Sequence, residues 1–220
     1  MNLSYTTDEY NKEILINKDT KEQVMMEWEK PYMEACIKAL EPRGDVLEIG
    51  FGLGYSARAL CSYPIQSYTV IECEPVVWEK VYEFKKDYPH IKINLVKGRW
   101  QEMLPTLPTF DTIFFDDFPY KEYLELDNYP KQDRVKRFIG QCIQNHMNIG
   151  CKLSYYSSWP NNHDSYDCVE GSLSDFEIQI PNNCNYIPSK RVYIPLLTKI
   201  SEPSENDLDV LSNLWIISIN

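Results

Sequence analysis

The stretch LEIGFGLGYSARAL, residues 47–60, joins an apolar run ending in glycine to a helix-like segment. Gly50, Gly52 and Gly54 fall at the junction between them. Glycine there permits a tight turn and lets a ligand approach the backbone closely. The spacing is GxGxG, because Tyr55 follows Gly54, rather than the GxGxxG of a nicotinamide-type fingerprint. An acid, Glu48, precedes the turn.

Outward from this junction the chain alternates strand-like and helix-like segments. DVLEIG (45–50) reads as a first strand, SYTVIE (67–72) as a second and IKINLVKG (91–98) as a third, with a helix over PVVWEKVYEFKKDY (75–88) between the last two. FDTIFFDD (110–117) is a fourth strand, DRVKRFIGQCIQNHM (133–147) a helix and KLSYYSSW (152–159) a fifth strand. DFEIQI (175–180), RVYIPLLTKI (191–200) and LWIISI (214–219) also read as strands, separated by polar or proline-bearing links. This order predicts an α/β fold with a mostly parallel sheet, helices on both faces and an antiparallel C-terminal edge. Glu72 closes the second strand, about 20 residues beyond the turn, where an acid can accept both ribose hydroxyls of an adenosine. Trp100 follows the third strand; it suits either adenine stacking or an ordinary place in the core or a lid.

Upstream, VMMEWEKPYMEACIKAL (24–40) sets Met25, Trp28, Tyr32, Met33, Cys36, Ile37 and Leu40 on one helical stripe, with Glu29 inside it. A buried carboxylate is costly unless cations or N–H groups meet it. Glu29 therefore reads as a site residue or as a helix-entry acid paired locally. Pro31 suits a first helical turn, so the stripe bends or breaks near Glu29.

The chain of 220 residues holds one sizeable core, read as an arm or lid over 1–21 followed by a single domain over 22–220. A net charge of -11 repels phosphate backbones, so nucleic acid is a poor partner and a cationic small molecule a better one. No run approaches a membrane span and no secretory signal is evident, so neither membrane insertion nor export is expected. The seven cysteines form no CxxC pair and read as reduced thiols, consistent with a cytoplasmic location. His90, His146 and His163 lack ligand spacing, and no metal is expected, although the Asp116–Asp117 pair leaves a divalent ion as an alternative. Adjacent strand residues face opposite ways, so only one of these two acids faces a pocket unless the strand has ended. The tyrosine-rich FPYKEYLELDNY (118–129) reads as a substrate lid or a packed loop.

The GxGxG turn after Glu48 resembles the first motif of class I S-adenosylmethionine methyltransferases. Together with it, VMMEWEKPYM (24–33), VKGRWQEMLPTLPTFDTIFFDDFP (96–119) and CNYIPSKRVYIPLLTKI (184–200) resemble guanidinoacetate N-methyltransferase and the fungal enzymes that methylate arginine's internal guanidino nitrogen. The Met–Trp–Glu–Pro–Tyr–Met stretch is the most selective of these. The resemblance covers roughly residues 24–200 and implies a Rossmann-like fold with a seven-stranded sheet. It implies that Glu29 and Asp116 hold the guanidino group and act in catalysis. It places S-adenosyl-L-methionine against Met25, Gly50, Phe51, Gly52, Leu53, Gly54, Tyr55, Ser56, Glu72, Cys73, Trp100 and Gln101. Met33 would line the shared pocket, and Ser157 and Ser158 would meet the carboxylate end of the substrate. The segment before Trp159 is shorter than the family's, and residues 201–220 lie outside the resemblance. The implied substrate is a small guanidino compound such as guanidinoacetate, with arginine, free or in a protein, as the first alternative. A non-catalytic cofactor-binding protein is the second.

Overall fold

Alternate residues of one strand feed two separate cores: Val46 packs into one and Leu47 and Ile49 into the other. That strand lies near the middle of the sheet described by the computed structural model, which covers residues 2–120, 133–160, 166–187 and 191–216. In chain order the strands are β1 (Leu3–Thr7), β2 (Glu13–Asn17), β3 (Gln23–Met26), β4 (Gly44–Ile49), β5 (Ile65–Glu72), β6 (Lys92–Lys97), β7 (Phe110–Phe115), β8 (Met147–Tyr155), β9 (Val169–Glu177) and β10 (Arg191–Lys199). The helices are α1 (Lys30–Leu40), α2 (Tyr55–Leu60), α3 (Pro75–Asp87), α4 (Trp100–Met103), α5 (Arg134–Gln141) and α6 (Glu205–Ile216).

The large sheet runs β6-β5-β4-β7-β8-β10-β9. Its first five strands pair in parallel, and β10 runs antiparallel to β8 and β9. This is the expected α/β sheet with its antiparallel edge. Residues of α1, α2 and α3 share one core with Val46, Tyr68 and Val70, while Trp100, Phe138 and Leu211 share the other with Leu47 and Ile71. The chain moves outward from β4 through β5 to β6, then returns to β4's other side with β7. The switch point therefore lies between β4 and β7, at the carboxyl ends where open α/β sheets bind ligands.

Two expectations are corrected and one is met. The segment read as an arm or lid carries regular structure: β1, β2 and β3 form a three-stranded antiparallel sheet, with Leu3, Ile14 and Leu15 buried. The 24–40 stripe breaks near Glu29 as expected: it ends β3, passes a 3-10 turn at Glu27–Glu29 and enters α1, with Pro31 in its first turn where no N–H is required. Residues 214–216 of the strand-like LWIISI belong to α6, and the remainder lies outside the described residues. An apolar run that short does not distinguish helix from strand. The deciding signal sits upstream, where Ser204 Oγ accepts the Asp207 amide and Asp207 Oδ2 accepts the Ser204 amide, a reciprocal cap. Among the described residues no helix is long and apolar enough to cross a membrane, and all seven cysteines are free thiols.

Candidate active site

Gly50 lies just beyond β4, with φ of 80° and its amide donated to the Ile71 carbonyl. A Cβ there would strike the carbonyl oxygen of Asp116, so glycine lets β4 and β7 close together at their ends. Gly52, at φ 51°, is equally constrained because a Cβ would collide with the sulfur of Met25. That sulfur accepts the Leu53 amide at 3.2 Å, and the Tyr5 hydroxyl donates to the Gly52 carbonyl at 2.8 Å. The small N-terminal sheet thus seals the outer side of the turn.

Beneath the turn is a cavity of about 280 Å³. Met25, Gly50, Gly52, Glu72, Cys73, Trp100 and Gln101 line it, as do Glu29, Asp116 and Ser158. Glu72 Oε2 accepts the Phe51 amide at 3.0 Å and Oε1 the Glu74 amide at 2.8 Å. With the Cys73 amide as a further donor, the carboxylate's remaining acceptor capacity is what a ligand hydroxyl could use. Burial lifts the Glu72 carboxyl to about 7 despite these bonds. Trp100 donates its indole N–H to Asp117 Oδ2 at 2.9 Å and packs edge-on against Phe115 and Phe138. Its N–H is therefore spent within the protein, and its ring is core that also walls the cavity.

Other expected contacts sit differently. The side chain of Phe51 packs against Phe84, Tyr55 donates to Glu13 at 3.3 Å, and Ser56 bonds the buried Glu48. Leu53, Gly54 and Met33 are buried without lining the cavity. Ser157 Oγ donates to the Trp159 carbonyl at 2.7 Å, so its hydroxyl is turned to the local backbone, whereas Ser158 does reach the cavity. Glu48, deeper still, is held by the Tyr68 hydroxyl and driven up to about 8 by burial, making it a structural acid.

Three acids, Glu29, Asp116 and Asp117, line the same cavity. Glu29 is 3% exposed; its Oε1 accepts the Met26 amide at 2.9 Å and the Tyr186 hydroxyl at 2.6 Å. Burial, then the charge of Asp116, pushes its carboxyl up to about 8, against the pull of those two donors. β7 ends at Phe115, so the alternation that would split Asp116 from Asp117 has ceased and both line the cavity. They differ in engagement. Asp117 Oδ2 lies 3.0 Å from Arg134 Nε and also takes the Trp100 N–H. Burial and then the neighbouring Asp117 charge raise Asp116 to about 7, with Arg134 opposing. Tyr156, Tyr186 and Arg134 complete the wall and were not singled out in the sequence, since each reaches the site from a separate segment with no spacing motif. Much of the proposed 118–129 lid lies outside the described residues, as does His163. His146 is buried, with Nδ1 3.2 Å from the Pro108 carbonyl, and takes no part in the site.

The strand order, the glycine turn at the switch point and the acid closing β5 define a Rossmann-like class I methyltransferase fold. Two solved structures share it. An O-methyltransferase, TomG from Streptomyces achromogenes in complex with SAM, aligns with a TM-score of 0.54 at 15% identity, covering 79% of this chain and 80% of that one. Spermidine synthase from Thermotoga maritima aligns at 0.57 and 13% identity, covering 94% and 75%. The chain belongs to the guanidinoacetate N-methyltransferase family, whose model matches residues 4–170. The match therefore includes the N-terminal sheet, which the resemblance read from residue 24 onward had left out, and stops short of 184–200. Protein arginine N-methyltransferase 2 of Saccharomyces cerevisiae is 33% identical over 125 residues, 53% of this chain and 30% of that protein. The chain spans about a third of the length of the curated relatives it matches. The cofactor of the family is S-adenosyl-L-methionine, and the donor set fits it: a carboxylate at the end of β5, apolar walls from Ile71, Val77 and Trp100, and a glycine turn alongside.

Proposed function

We propose that this chain is an S-adenosylmethionine-dependent N-methyltransferase acting on a guanidino group, with a small acceptor such as guanidinoacetate. One observation carries the reading: Glu29 and Asp116, from distant segments, line one cavity beside the glycine turn, and burial and negative neighbours push both toward the neutral form. A planar cation relieves that condition, because guanidinium N–H donors meet carboxylates in paired, charge-assisted hydrogen bonds.

Bound S-adenosylmethionine supplies a methyl carbon made electrophilic by its sulfonium. Glu72, Met25, Cys73, Gln101 and the turn at Gly50 and Gly52 would hold it, with Trp100 as wall. Oε1 of Glu29 is filled by Met26 and Tyr186, so Oε2 is the oxygen left for the acceptor. Glu29 Oε2 and the Asp116 carboxylate grip separate edges of the planar group and leave one nitrogen directed at the methyl. Holding reacting atoms in line can contribute about 7–11 kcal/mol toward the barrier. The same carboxylates polarise the cation and accept the proton that leaves the nitrogen.

A second reading, methylation of arginine itself, free or in a protein, is favoured by the curated relatives, which are named protein arginine N-methyltransferase 2. Incubation with methyl-labelled cofactor and a panel of guanidino acceptors, followed by mass spectrometry, separates the readings. Label in guanidinoacetate supports the first. Label confined to arginine or to protein supports the second. Tight cofactor binding with no transfer to any guanidine overturns both and leaves a binding protein.

A further inference from the structure

Tyr156 lines the cavity, and its hydroxyl is buried with no hydrogen-bond partner among the described residues. Leaving such a group unpaired costs about 1–3 kcal/mol, so native proteins rarely do it without a use. The neighbouring Tyr186 shows the contrast, since its hydroxyl is committed to Glu29.

The fold aims Tyr156 at the acids. β7 and β8 pair in parallel with Phe115 opposite Tyr155, and the Tyr156 amide continues the ladder to the Phe115 carbonyl at 3.0 Å. Asp116 and Tyr156 each follow that pair, both line the cavity, and Tyr156 packs against the core shared with Tyr32, Met33 and Cys36 of α1. The entry of α1 carries Glu29, which lines the same cavity. From α1, Tyr32 packs edge-on against the Tyr156 ring at 5.5 Å. The Tyr32 hydroxyl is itself pinned, accepting the Ser157 amide at 2.9 Å and donating to the Tyr193 carbonyl at 2.6 Å. The Tyr156 ring is thus braced from behind. Burial, and after it the neighbouring Glu29 and Asp116, keep the phenol protonated.

Resting on the guanidino reading above, we propose that the Tyr156 hydroxyl is a third polar contact to the acceptor, accepting one N–H of the planar cation held by Glu29 and Asp116. As a neutral phenol it has lone pairs for that N–H and a proton to turn toward Asp116. It orients the cation and does not serve as the base.

The test compares the full-length chain with Tyr156→Phe by calorimetry, with S-adenosylhomocysteine present to prevent turnover. The probes are guanidinoacetate, free arginine and a short arginine-containing peptide. The variant should weaken whichever probe binds by roughly ten- to a hundredfold, the loss expected for a hydrogen bond to a charged group. S-adenosylhomocysteine affinity and the circular dichroism spectrum should stay the same, and in turnover the loss should fall on KM more than on kcat. Equal probe affinity in both proteins overturns the inference and leaves the guanidino reading standing. Failure of all three probes to bind the unaltered chain removes that reading and this inference with it. Should Tyr156→Phe not fold, Tyr156→Met provides the same comparison; loss of folding in both makes the hydroxyl structural and overturns the proposal.

Discussion

At Glu29 the Met26 amide and the Tyr186 hydroxyl converge on one oxygen, so a neutral side chain of the same shape keeps some of the packing but loses the charge. Glu29→Gln and Asp116→Asn should each lower turnover by about 10²–10⁴, the usual worth of a positioned acid or base. Cofactor affinity should hardly change, because neither acid closes β5. Unaltered turnover in both variants, measured by label transfer, would exclude the carboxylate grip. Gly50→Ala tests the turn. Its φ is left-handed and the new methyl group meets the backbone carbonyl of Asp116, so relief requires the end of β7 to move. The variant should lose cofactor binding and melt several degrees lower; normal binding by calorimetry would show that β4 and β7 need not close so tightly. Glu29 and the glycines were legible because each breaks a local pattern: an acid inside an apolar stripe, glycines between strand and helix. Asp116 was distinguished from Asp117 only by the family resemblance. Tyr156 and Tyr186 break none. In a chain with 16 tyrosines, their selection depends on a β7–β8 register and a contact spanning the chain from 29 to 186, neither of which spacing encodes.

Among the elements, the central strands β4, β5 and β7 were read almost to their ends, since strands buried on both faces are continuous apolar runs bounded by polar residues. β9 was misplaced toward 175–180 because as an edge strand it exposes most of its residues and shows little alternation. The N-terminal sheet was missed for a related reason: its buried positions, Leu3, Ile14 and Leu15, are few and stand among polar neighbours. Yet that sheet touches the site directly through Tyr5 and Met25. Tyr5→Phe removes the hydrogen bond to the Gly52 carbonyl and should weaken cofactor binding by about two- to tenfold, matching a net hydrogen bond of roughly 0.5–1.5 kcal/mol. An affinity equal to that of the unaltered chain would reduce the sheet to a structural cover. A cap far from the cavity provides the opposite case. Ser204→Ala breaks the reciprocal Ser204–Asp207 cap of α6 and should cost about 1 kcal/mol of stability, seen as a lower Tm, with label transfer unchanged.

Among the described residues, four carboxyls raised well above their ordinary values shape the response to pH. Glu29 and Glu48 are raised to about 8, and Glu72 and Asp116 to about 7, all chiefly by burial. Above their ordinary values of 4.5 and 3.8 an unfolded chain has released these protons while the folded chain still holds them. The folded state therefore binds more protons, and stability falls as pH climbs through that interval. His146, lowered by burial, acts oppositely but only below its ordinary 6.5. Carboxyls lowered by their partners, such as Asp207, lose their contribution only at acid pH. The window from 6.5 to 8 thus isolates the raised acids, and Tm should drop across it. The drop should be smaller in Glu29→Gln, which has no proton to lose at that position. A bound planar cation reverses the balance, since it favours the ionised carboxylates. Acceptor affinity should then rise from pH 6.5 to 8, with protons released on binding. Calorimetric heats in buffers of different ionisation enthalpy count those protons. Heats independent of the buffer, with an affinity flat in pH, would mean that the acids are already ionised in the free protein and that the cation does not complete a site left short of positive charge.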